Sequence, residues 1–148
     1  MPFTCISVDD VFPAAHYTNP RLSPAGTLHG HNWKVTVTVC KEGRSGWVMD
    51  AVALKNKLKD IIDPFRFSLI VPETDARAWL SPNGLRDMIE ENIGVKVRIA
   101  VLPFPLVSAE TFAHYVYNRL SDEISFDCMR VEVEESPGEK ATYDDCLP

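Results

Sequence analysis

The chain has 148 residues, 45% of them hydrophobic and 24% charged, with a formal net charge of -6. That length and apolar fraction fit one domain, residues 1–148, with its own core, and acidic residues scattered rather than clustered argue against a nucleic-acid surface. The first residues, Met1-Pro2-Phe3-Thr4-Cys5, hold no basic region followed by an apolar block, and no stretch is long enough to span a bilayer, so a cytoplasmic protein without a membrane partner is expected.

In chain order, Phe3 to Val11 alternates weakly and leads to Phe12-Pro13-Ala14-Ala15-His16. Tyr17 to Gly26, with Asn19-Pro20, Ser23-Pro24 and Gly26, is an irregular connection. Leu28 to Cys40 is the clearest strand. With a side-chain period of two, His29, His31, Trp33, Val35, Val37 and Val39 share one face, while Asn32, Lys34, Thr36 and Thr38 take the other. Two imidazoles at one end of an apolar face can grip a metal. Zinc with an open position needs a third protein ligand, and His16 ends the only other strand expected to pair with this one. His114, beside Tyr115 in a helical pattern, reads as a packing or surface residue.

Asp50 is placed to cap a helix in which Leu54, Leu58 and Ile61 recur at helical spacing and which Pro64 stops. Phe65 to Val71 is a short apolar run, and Pro72-Glu73-Thr74-Asp75 reads as a turn. Asn83 is the expected cap of a second helix carrying Leu85, Met88, Ile89 and Ile93 and ending at Gly94. Val95 to Val101 reads as a strand by strict alternation. Ser108 caps a third helix, with Glu110 in its first turn and Phe112, Val116 and Leu120 as its apolar stripe. Met129 to Glu135 is a strand that puts Glu135 on the same face as Val131 and Val133, and Ser136-Pro137-Gly138 turns it into a last segment around Ala141 to Tyr143. The pattern gives antiparallel β-structure with helices on one face. Cys5, Cys40, Cys128 and Cys146 form no Cys-x-x-Cys pair and read as reduced thiols, the first three as small buried hydrophobes.

Phe12-x-Ala14-Ala15-His16 followed by Leu28-His29-Gly30-His31-Asn32-Trp33 resembles the zinc signature of the 6-pyruvoyl-tetrahydropterin synthase and 6-carboxy-tetrahydropterin synthase family. Gly46-Trp47-Val48-Met49-Asp50 with Leu54-Lys55, Ser108-Ala109-Glu110 with Phe112-Ala113, and Val131-x-Val133-x-Glu135-Ser136-Pro137 are similar to three further motifs of that family. The resemblance implies an α+β tunnelling fold: an antiparallel sheet with two long helices on one face, plus a short inserted helix and strand near residues 83–101. It also implies a barrel closed by oligomerisation into a trimer or hexamer, zinc on His16, His29 and His31, and a pterin ring anchored by Glu135. The implied substrate is 7,8-dihydroneopterin triphosphate or a related dihydropterin.

The chain departs from the pattern in its proton-transfer groups. Where the family carries a cysteine, four or six residues ahead of the first histidine of His-Gly-His, this chain has Ala25 and Ser23. Where the family's Asp-His pair should fall, it reads Arg66-Phe67. A serine hydroxyl is a poor base unless another group activates it, which makes Ser23 a weak catalytic candidate. Three repairs suit this pattern: Cys5, Asp75 or His114 reaching in from a neighbouring subunit, Ser23 acting with zinc-bound hydroxide, or a protein that binds a pterin without transforming it. That last reading, a non-catalytic or regulatory paralogue, is the alternative to an altered lyase. A tunnelling-fold protein for another purine-like ligand is a third.

Overall fold

The computed structural model describes residues 2–19, 23–44 and 46–146, apart from the side chain at position 25. Strands β1 (Phe3–His16) and β2 (His29–Glu42) form the spine of a sheet. They run antiparallel along their whole length, with Phe3 opposite Glu42 and His16 opposite His29. One face of this ladder carries Phe12, Trp33, Val35, Val37 and Val39, all fully buried. The other carries Ser7, Thr36, Thr38 and Lys34, as the period of two requires.

Two helices cover the apolar face. The first, α1 (Ala51–Ile62), starts where the Asp50 carboxylate accepts the Val52 N–H at 3.1 Å, and it buries Leu54, Leu58, Ile61 and Ile62. Asp50→Ala is expected to cost about 1 kcal/mol of stability by leaving that N–H without its cap, read as a lowered urea midpoint with an unchanged slope. After a 3-10 turn at Asp63–Phe65 come β3 (Ser68–Pro72), a 3-10 turn at Glu73–Asp75, the short helix α2 (Ala76–Leu80), α3 (Leu85–Ile93) and β4 (Ile99–Leu102). The second covering helix, α4 (Ala109–Ser121), begins with a reciprocal capping box between Ser108 and Thr111 and buries Phe112, Ala113, Val116 and Leu120. Strands β5 (Cys128–Ser136) and β6 (Glu139–Asp144) complete the sheet, whose order is β4-β3-β1-β2-β5-β6.

The architecture is the expected α+β one, but the sheet is mixed rather than wholly antiparallel. β3 pairs parallel with β1, and β4 pairs parallel with β3. Both joins are crossovers that carry helices, as parallel neighbours require. All five residues of β3 are buried, so this strand shows no alternation to reveal it.

Two local expectations fail for physical reasons. Val95 to Arg98 alternates yet forms no strand, because pairing with β3 begins only where the Leu69 N–H meets the Arg98 carbonyl at 2.8 Å. Strand-like sequence without a partner ladder does not become a strand. Asn83 does not cap α3. Its φ is 61°, its own N–H goes to the Asp87 carboxylate at 3.0 Å, and Gly84 occupies the cap position. At Gly84 a Cβ would lie 2.7 Å from the Ala78 carbonyl oxygen, so this close approach requires glycine.

The cysteines also differ from the expectation of reduced thiols. Cys5 is disulfide-bonded to Cys40, and Cys128 to Cys146. Cys40 and Cys128 are buried as expected, but Cys5 is exposed. Pairing was invisible in the spacing because Cys5 and Cys40 meet only through the β1–β2 register, where they stand directly opposite one another.

Candidate metal centre

The antiparallel register that sets His16 opposite His29 also brings His31, on the same face of β2, beside both. Ring centroids lie 4.6 Å apart for His16 and His29, 5.4 Å for His16 and His31, and 4.5 Å for His29 and His31. One nitrogen from each ring falls within 4.8 Å of the other two. Trp33, two residues beyond His31, floors the cluster, its ring edge-on to His16 at 4.9 Å and its indole N–H donated to the Ala14 carbonyl at 3.1 Å.

Backbone carbonyls fix how the rings face. His16 donates its Nδ1–H to the Val107 carbonyl at 2.9 Å, and His29 donates its Nδ1–H to the Thr27 carbonyl. Each Nε2 is then the unprotonated nitrogen. Those two Nε2 atoms face each other at 3.1 Å, so two lone pairs meet with no proton between them. His31 Nε2 is buried with no hydrogen-bond partner. Lone pairs converging in this way are what a cation needs: a tetrahedral ion with metal–nitrogen bonds of about 2.0–2.1 Å spaces its nitrogens ~3.3 Å apart. The three histidines therefore fit a metal ion of the zinc class.

Electrostatics favour the same state. Burial, with the neighbouring His29 and His31 adding to it, pushes His16 down to about 4 against the opposing pull of the Val107 carbonyl. His31 is likewise lowered by burial and by His29. Both rings are neutral near pH 7, the form in which imidazole binds metal.

Glu135, at the end of β5, turns toward the histidines. Its carboxylate oxygens lie 3.5 Å from His31 Nε2 and 3.8 Å from His16 Nε2. Because those rings are neutral, these contacts are not ion pairs near neutrality. Burial and the Glu110 carboxylate raise the Glu135 pKa, while His29 and the Ala109 N–H pull it back. Glu135, Glu110, Glu139, Lys140 and Ser23 join the histidines around a cavity of about 360 Å³, within the range of small-molecule sites. Lining by Glu110, Glu139 and Lys140 was not foreseen. Glu110 carried a signal, its place in the first turn of α4, but nothing in the sequence marked Val107 or Thr27, whose role belongs to their carbonyls.

The other candidates lie elsewhere. Asp75 accepts the Tyr17 hydroxyl at 2.6 Å, and Trp79 donates to that same hydroxyl oxygen at 3.0 Å. Burial and this carboxylate push the Tyr17 hydroxyl up to about 12. His114 stacks on Tyr143 at 4.2 Å, and Cys5 sits at the far end of β1, bonded to Cys40. Arg66 donates to the Val11 carbonyl at 3.0 Å and meets Asp10 and Asp63 at 3.3 Å each. Phe67 follows with φ 57° and is 74% exposed. The side chain of Ala25 lies outside the described residues.

Comparison with known proteins gives this geometry a setting. The chain is 26% identical over 144 residues to a Haemophilus influenzae protein named 6-carboxy-5,6,7,8-tetrahydropterin synthase, covering 93% of this chain and 96% of the relative. It is 28% identical over 134 residues to a Methanocaldococcus jannaschii protein named putative 6-carboxy-5,6,7,8-tetrahydropterin synthase, covering 80% of each. Its fold matches the crystal structure of Plasmodium vivax 6-pyruvoyl tetrahydropterin synthase with a TM-score of 0.74 at 21% identity, over 99% of this chain and 100% of that one. The Caenorhabditis elegans synthase matches with a TM-score of 0.61 at 21% identity, over 98% and 97%. With the model of the 6-pyruvoyl tetrahydropterin synthase family matching residues 5–146, nearly end to end, this chain belongs to that family.

Proposed function

We propose that the protein holds zinc on His16, His29 and His31 and binds, or acts on, 7,8-dihydroneopterin triphosphate or a related dihydropterin. The observation that carries this reading is the convergence of one ring nitrogen from each histidine, with His31 Nε2 buried and without a hydrogen-bond partner. Zinc held by His16, His29 and His31 would supply Lewis acidity to an oxygen of the pterin side chain, which would make the neighbouring carbon-bound protons more acidic. Glu135 anchors the ring: a carboxylate presents two acceptors to the paired N–H donors of a pterin's guanidine-like edge. To do so it turns away from the histidines into the cavity it already lines.

Proton transfer is the weak part of the machinery. Ser23, which lines the cavity, is the candidate for this role, but a serine hydroxyl needs an activating group. Asp75 and His114 are engaged with Tyr17 and Tyr143, and Arg66 is tied to Asp10 and Asp63. These ties favour a second reading, a pterin-binding or regulatory paralogue without turnover. Self-association into a trimer or hexamer accompanies either reading, because β4 and β6 leave two open sheet edges. Among the described residues no helix is long and apolar enough to cross a membrane; the cytoplasmic location we propose rests on the family match instead.

The test is calorimetric binding of a dihydropterin to zinc-loaded protein. Glu135→Gln is expected to weaken binding roughly 10- to 100-fold, because one oxygen acceptor becomes a donor facing the ring's own donors, while zinc content stays unchanged. Turnover of dihydroneopterin triphosphate separates the lyase from the binder. Wild-type affinity in Glu135→Gln, or no pterin binding at all, would sink the reading.

A further inference from the structure

At the opposite end of β1 and β2 from the histidines, the strand register sets cysteines side by side in a row. Cys5 stands directly across from Cys40, and Cys40 directly across from Cys128 on β5. Directly paired residues share a face of the sheet, here the face turned away from α1 and α4 that also carries the Ser7 and Thr38 hydroxyls. Cys146, just past β6, is next in the row, its Cα 5.1 Å from that of Cys128. The disulfides join Cys5 to Cys40 and Cys128 to Cys146, one at each end of the row.

Each inner cysteine therefore has a partner on either side. Directly opposed residues of antiparallel strands have Cα atoms about 4.5 or 5.5 Å apart, inside the ~4.4–6.8 Å that a disulfide usually spans, so the β2–β5 register allows a bond between Cys40 and Cys128 with neither backbone moved. The sulfurs of Cys40, Cys128 and Cys146 already lie within 4.8 Å of one another, a gap that rotation about the Cα–Cβ bond of Cys40 closes once its bond to Cys5 opens. Access differs along the row. Cys40 and Cys128 are buried, at 3% and 2% exposure, whereas Cys5 is exposed and Cys146 half-buried, so a reductant from solvent meets the ends first.

We propose that the four cysteines are a disulfide-exchange relay: when one disulfide is reduced, Cys40 and Cys128 bond to each other and the two thiols come to rest on Cys5 and Cys146. The steps balance. One thiolate of a small dithiol attacks the Cys5 sulfur and Cys40 leaves as thiolate; the second thiol of the reductant then closes on the first, releasing Cys5. The Cys40 thiolate attacks Cys128, the Cys128–Cys146 bond breaks, and Cys146 leaves. The dithiol has lost two electrons and two protons, and the protons end on Cys5 and Cys146. In a reducing compartment disulfides are mostly redox-active rather than structural, and the consequence here is specific: a reductant that touches only Cys5 unties Cys146 from β5, at the far end of the row. The freed segment keeps its place, because Asp145 still accepts the Met129 N–H at 2.8 Å and donates its own N–H to the Met129 carbonyl at 3.3 Å, so oxidation closes the bond again.

The experiment maps thiols. Oxidised full-length protein is equilibrated with graded ratios of reduced to oxidised dithiothreitol and quenched in acid, which protonates the attacking thiolates and stops exchange. It is then unfolded, alkylated with N-ethylmaleimide and mapped by peptide mass spectrometry. Expected is a two-thiol species labelled on Cys5 and Cys146, with Cys40 bonded to Cys128. Two variants pose the same question without a titration, so a jump from no thiols to four in the wild type is decided by them. Cys5→Ser leaves Cys40 facing the Cys128–Cys146 disulfide, and label should appear on Cys146. Cys146→Ser leaves Cys128 facing the Cys5–Cys40 disulfide, and label should appear on Cys5. Label confined to Cys40 in the first variant or to Cys128 in the second would overturn the relay, as would wild-type two-thiol species labelled only on Cys5 with Cys40 or on Cys128 with Cys146.

Discussion

Replacing His29 with alanine is expected to take the oxidised protein from about one bound zinc per chain to essentially none, measured as metal content after desalting. His16 and His31 would remain, and two imidazoles do not hold zinc as three do. His29 is an informative position because it is half-buried, where His16 is only 2% exposed. Its loss therefore reports on coordination rather than on the core. His16→Ala should lose metal as well, but it also leaves the Val107 carbonyl without its 2.9 Å donor. His114→Ala, whose ring stacks on Tyr143, should keep wild-type zinc. Full zinc content in oxidised His29→Ala would mean that the converging nitrogens are not the site.

Trp33→Ala should be the most damaging single change to stability, at about 3–5 kcal/mol by urea unfolding at fixed protein concentration. The side chain is fully buried, it packs on Phe12 and Phe112 with ring centroids at 6.2 and 5.6 Å, and its N–H satisfies the Ala14 carbonyl. Truncation leaves a cavity and an unpaired acceptor together. It also removes the floor on which His16 rests at 4.9 Å, so zinc affinity should fall even in molecules that stay folded. Trp33→Phe, which keeps a ring, should lose less stability and retain most of the metal. An alanine variant within 1 kcal/mol of wild type would contradict this packing account.

What the sequence determined by itself was what local chemistry dictates. The alternation from His29 to Val39 placed both strand histidines and Trp33 on one apolar face. The acceptor side chains of Asp50 and Ser108 marked the starts of α1 and α4, and the parity of Glu135 with Val131 and Val133 put its carboxylate on the core-facing side. Periodicity reports which side of an element is buried; it does not report which element comes alongside. Only the tertiary structure decided that fully buried β3 runs parallel to β1, that Val95 to Arg98 finds too little ladder to become a strand, and that Gly84 rather than Asn83 starts α3. The same limit hid the cysteine cluster and the carbonyls of Val107 and Thr27 that aim the histidines. The cysteine and Val107 contacts join residues far apart in the chain through strand register and loop path, and backbone carbonyls, even that of Thr27 two residues from His29, are identical in every residue and leave no mark in an amino-acid sequence.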